Sequence, residues 1–159
     1  MADYPLTISR TKVSVENNPE RHNGFTNKYS VLYSDINTTS ATASTDTVTL
    51  TLGTTPTLWA VTGAAVNVTT AFAGTGGFAV ALGITGTVAN IMASQSVLAK
   101  GFLQPSNGVA AVATPTTTTS TASTSLKAVF TNSVGSSPSS LTAGALDIYL
   151  KILDLSRLS

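Results

Sequence analysis

One histidine and seven carboxylates are the residues of this 159-residue chain that could carry acid–base or metal chemistry. Catalysis needs a few such groups brought together, and their spacing argues against it. His22 stands in ENNPERHNG, residues 16–24, a turn-forming stretch that reads as a surface loop. Tetrahedral zinc wants several His or Cys ligands; there is one His and no Cys, so thiolate metal sites and disulfides are excluded. Glu16 and Glu20 are four apart, but Pro19 lies between them and no helical face joins them. Asp147 and Lys151 share a face of an alternating segment without touching, which reads as a solvated outer surface. Asp3, Asp35 and Asp46 are scattered, and no D-x-D-x-D-G calcium loop occurs. Serine and threonine are plentiful, but no triad can be completed. The stretches GTGG and GITGT lack the spacing of a phosphate loop. The expectation is a protein that is not an enzyme, with no catalytic residues, no metal and no cofactor. A hydrolase on a β-sandwich scaffold is not expected, since no carboxylate or histidine constellation is present.

Charge is the unusual feature. Only 9% of residues are charged, against about 25% in ordinary soluble domains. Eight of the fifteen charges fall in residues 1–35 and five lie between Lys127 and Arg157; the 91 residues from Ile36 to Leu126 hold Asp46 and Lys100 alone. The net charge of +1 gives no field for nucleic acid or an anionic membrane, so neither is expected as a partner. So bare a body favours association, and homo-oligomer contacts are expected to cover it. The N-terminus MADYPLTISRTK has no apolar stretch of signal-peptide type, and no run reaches about 18 apolar residues. The sequons at Asn37 and Asn67 read as chance in a threonine-rich chain.

The elements that would position any site are strands. In TVTLTL, Val48, Leu50 and Leu52 oppose Thr47, Thr49 and Thr51, a half-buried strand with a hydroxylated outer face. YSVLYS (29–34), TLWAV (57–61), AAVNVTTAF (64–72), FAVALGI (78–84), SLKAVFT (125–131) and GALDIYLKILDL (144–155) alternate in the same way. LTISRTKVSV reads as a first strand or an arm, and NGVAAVA as a weaker strand. The glycines of AGTGG, residues 73–77, predict a tight hairpin between two strands, which argues against a membrane helix across residues 69–86. TVANIMASQSVLAKG, residues 87–101, allows either a helix or an irregular crossing between sheets. Residues 114–125 and 132–144 read as loops. The whole predicts one all-β domain, a β-sandwich of jelly-roll type at residues 29–159, preceded by an N-terminal arm or edge segment at 1–28.

The pattern of residues 29–158 resembles small structural proteins of tailed-bacteriophage particles. Its carriers are TLW before a small-residue hairpin, the GTGG turn, SVLAKG, and a last strand introduced by TAG. The nearest type is the head decoration or cement protein. That resemblance implies a non-enzymatic virion protein on the capsid exterior, made in the host cytoplasm. It also implies a homotrimer bound to the major capsid protein. The charged N-terminal segment suits docking, with Arg10, Lys12, Glu16, Glu20 and Arg21 for charge complementarity and Tyr4 and Pro5 as an apolar anchor. The alternative is a carbohydrate-binding or adhesion module of a phage fibre or tail, with Trp59 as a stacking platform.

Overall fold

Alternation sorts each strand into a face that packs inward and a face that does not. The computed structural model describes residues 13–14, 25–40, 46–55, 58–103, 124–133 and 138–155. They form β1 (Val13–Ser14), β2 (Asn27–Leu32), α1 (Tyr33–Ser40), β3 (Thr47–Thr54), β4 (Trp59–Ala73), β5 (Phe78–Ile84), β6 (Thr87–Ser96), β7 (Gly101–Leu103), β8 (Ser125–Asn132) and β9 (Ala143–Asp154), with a 3-10 turn at Pro138–Ser140. Two antiparallel sheets result, a β-sandwich. Sheet I runs β1-β2-β9-β4-β7 and sheet II runs β3-β8-β5-β6. Tyr29, Val31, Val61, Val66, Val68, Leu146, Ile148 and Leu150 of sheet I meet Val48, Leu50, Phe78, Val80, Leu82, Leu126 and Phe130 of sheet II in one core. Each such side chain contributes about 1.5–3 kcal/mol when fully buried. The NGVAAVA segment and the threonine-rich run before residue 124 lie outside the described residues.

Three local expectations are corrected. The AGTGG turn does not close a hairpin. It carries the chain from β4 in sheet I to β5 in sheet II. The crossover is held from below by Asn132, fully buried, whose Nδ2 donates to the Thr75 carbonyl at 2.9 Å. Gly74 lies so close to the backbone there that a Cβ would stand 2.7 Å from the Ser140 carbonyl oxygen. The hairpin joins β5 and β6 instead, through Thr85–Gly86, with Ile84 opposite Thr87 and Gly86 at φ 85°.

Residues 87–96 are strand β6, not helix. Pairing with β5 and burial of Ile91 and Met92 override the helix preference of Ala, Met and Gln. The helix lies where strand was expected: YSVLYS ends as a strand at Leu32, and α1 begins at Tyr33. The Asp35 carboxylate accepts from the Leu32 N–H at 2.9 Å, half of a capping box. Ile36 is fully buried, and Asn37 Nδ2 donates to the Leu141 carbonyl at 2.7 Å.

Val97 closes one end of the sandwich. Its N–H donates to the Phe78 carbonyl and its carbonyl accepts from the Phe72 N–H, each at 3.0 Å, so one residue ties sheet II to sheet I.

Candidate functional site

The two outer faces differ, and the difference follows from parity. On sheet II the side chains opposite the core are Thr47, Thr49 and Thr51 of β3, Lys127, Val129 and Thr131 of β8, and Ala79 and Ala81 of β5. Thr49, Val129, Ala81 and Lys127 are nonetheless buried within a single chain. Lys127 Nζ donates to Thr51 Oγ1 at 2.8 Å, so its stem covers small neighbours while its ammonium keeps a partner. The middle of this face, with Lys127 as its one cation among the side chains named, is therefore closed in the monomer.

The outer face of sheet I carries the polar groups. Lys28 Nζ stands 2.9 Å from Asp147 Oδ2, and Ser30 Oγ donates to Asp147 Oδ1 at 2.6 Å. The same ammonium lies 5.7 Å from the centroid of the Tyr149 ring, which pairs with Phe25 at 5.8 Å and a 54° tilt. Residues 27 and 28, expected within the N-terminal arm or edge segment, fall inside β2 and pair with β9. Thr26 clips the strand end: its Oγ1 accepts from the Ile152 N–H at 2.8 Å, and its own N–H donates to the Leu150 carbonyl at 3.0 Å. Asp147 and Lys151 do share this outer face, as their spacing implied.

The hydrogen bond to Asp147 holds the Lys28 ammonium above its ordinary pKa. Burial raises the phenol of Tyr29, partly offset by the hydrogen bond donated by Asn27 Nδ2 at 3.2 Å. Both groups hold their proton more tightly folded than unfolded. Their stabilisation is complete below the unfolded-chain values and is lost as pH rises through the folded ones. The urea midpoint is therefore expected to fall above about pH 10. Asp147→Asn should remove the Lys28 share of that fall, a small share because solvent screens the pair. A midpoint that rises between pH 9 and 11 would contradict this assignment.

No three His, Cys, Asp or Glu side chains come together among the described residues, and no helix there is long and apolar enough to cross a membrane. The docking candidates Tyr4, Pro5, Arg10, Lys12, Glu16, Glu20 and Arg21 lie outside the described residues, as does His22. Trp59 opens β4 and joins the core at 7% exposure; a ring placed there presents little face to a sugar. Sequence reasoning passed over Phe102. It lies in β7, opposite Asn67 of β4, and is 67% exposed. Its signal was faint: a single aromatic after Gly101 in a three-residue strand.

No family model, no curated protein and no solved structure matches this chain.

Proposed function

We propose that this chain is a non-enzymatic virion structural protein, a capsid decoration protein that binds the outer capsid surface as a homotrimer and braces the major capsid protein. The observation that carries the reading is the strand order. Apart from β1, the orders β2-β9-β4-β7 and β3-β8-β5-β6 support a reading as a double-sheet jelly roll of two Greek keys, an architecture that capsid proteins share with lectins. Fold alone does not assign function. The sequence resemblance and the crowding of charge into residues 1–35 supply the rest: a sparsely charged body that associates and a charged segment that docks.

The middle of sheet II's outer face is closed within one chain, so subunits meet elsewhere. β6 is one of the two edge strands of sheet II among the described residues and carries no charge; Ala89, Ala93, Ser94 and Ser96 are exposed along it, and Leu98 follows at 46% exposure. Edges of soluble monomers are commonly guarded by charge or proline; β6 has neither. Sedimentation equilibrium at micromolar concentration is expected to give three times the 16.2 kDa chain mass. Ala93→Lys, which places a cation on that edge, should shift the mass toward one chain. A monomer at every concentration would overturn the trimer.

A further inference from the structure

Sheet I carries a row of four outward side chains, one from each of its main strands. Ser30 of β2 faces Asp147 of β9, Asp147 faces Asn67 of β4, and Asn67 faces Phe102 of β7. Their chain neighbours Val31, Val66, Val68, Leu146 and Ile148 point into the core, which fixes the row on the outside. Strands lie about 4.8 Å apart, so the row runs roughly 14 Å.

The chemistry of the row is specific. Phe102 is the most exposed large apolar side chain among the described residues, at 67%. Leaving a phenyl ring in water forgoes the gain of burying it. Its neighbours along the row are an amide, a carboxylate and a hydroxyl, whereas the centre of a protein–protein contact is a contiguous apolar patch. The Asn67 amide offers two donors and one acceptor. The Asp147 carboxylate is fixed by Ser30 and neutralised by Lys28, yet a carboxylate has about four acceptor directions. The row therefore has a bare aromatic face at one end, orientable hydrogen-bonding groups beside it, and no net charge to attract phosphate or an acidic polymer.

We propose that this row, Phe102–Asn67–Asp147, binds a neutral saccharide. A pyranose has a face of C–H bonds, weakly positive, which stacks on the negative face of an aromatic ring. Its rim hydroxyls both donate and accept, which suits an amide next to a carboxylate. Two vicinal hydroxyls meet Asn67 and Asp147 while the C–H face lies on Phe102. The next sugar of a short chain reaches Ser30. The capsid reading uses different residues, so either can fail without the other.

The test is intact protein on an array of neutral oligosaccharides of glucose, galactose, mannose and N-acetylglucosamine, followed by titration of the best binder. Phe102→Ala and Asn67→Ala are each expected to weaken binding at least tenfold with an unchanged urea midpoint, since both side chains reach the surface. No binding to any neutral glycan at millimolar concentration overturns the proposal. So does unchanged binding by Phe102→Ala. If Phe102→Ala instead lowers the sedimentation mass, the row is a subunit contact and the proposal also falls.

Discussion

Replacing Gly144 with alanine is expected to destabilise the sandwich by about 2–6 kcal/mol, the largest effect of any single methyl in the described chain. Two costs combine. Gly144 sits at φ 143°, a conformation that costs an L side chain about 1–3 kcal/mol. A Cβ there would also land on the ring of Phe72, with three of its carbons in the way. Phe72 is 3% exposed and packs 6.0 Å from the ring of Phe130, so it has nowhere to retreat. Overpacking of this kind costs about 1–3 kcal/mol. Domains of this size have about 5–15 kcal/mol in total. Gly86→Ala is the control: φ is 85° and nothing lies within 4 Å of the added carbon, so backbone strain acts alone. Phe72→Leu combined with Gly144→Ala should recover part of the packing cost, a coupling that a double-mutant cycle reads. A Gly144→Ala midpoint within error of the parent would mean that β4 and β9 do not meet there as described.

The same contact shows how far the sequence could be read. Alternation marks β3, β5, β8 and β9 because their inward rows, such as Val48–Leu50–Leu52, are apolar by local parity. Parity does not name the partner strand. The glycines at 74–77 signal a reversal, but whether the next strand pairs back or joins the other sheet depends on β8, some fifty residues on. Helix α1 escaped notice because YSDINTTS is a poor helix former. It is held by the buried Ile36 and by the Asn37 bond to Leu141, more than a hundred residues away. β6 escaped for the opposite reason, since its composition suits a helix and its pairing does not. Of the surface chemistry, the outward parity of Asp147 was legible. Its meeting with Lys28 and Ser30 was not, because it depends on the register of β2 against β9. The exposure of Phe102 depends on β7 being a short edge strand, which no local pattern announces.

Under the proposed capsid docking, removing residues 1–24 is expected to abolish shell binding while the sandwich stays folded. The segment holds six of the fifteen charges, together with Tyr4 and Pro5. The cut falls before Phe25 for a structural reason. Thr26, Asn27 and Lys28 belong to the body through the clip on Ile152 and Leu150, the β2–β9 ladder and the Asp147 pair. The cut removes β1, whose pairing spans Val13↔Lys28 and Ser14↔Asn27. Losing that edge should cost about 1–2 kcal/mol, and the solution mass per oligomer should fall only by the residues removed.

Co-sedimentation of intact protein with emptied, assembled shells and, separately, with dissociated major capsid protein tests the proposed docking. Saturable binding to shells alone is expected, with a rise in the shell's thermal midpoint as occupancy increases, because a ligand that binds the assembled state stabilises it. No binding to shells, equal binding to dissociated subunits, or full occupancy by protein lacking residues 1–24 would contradict it.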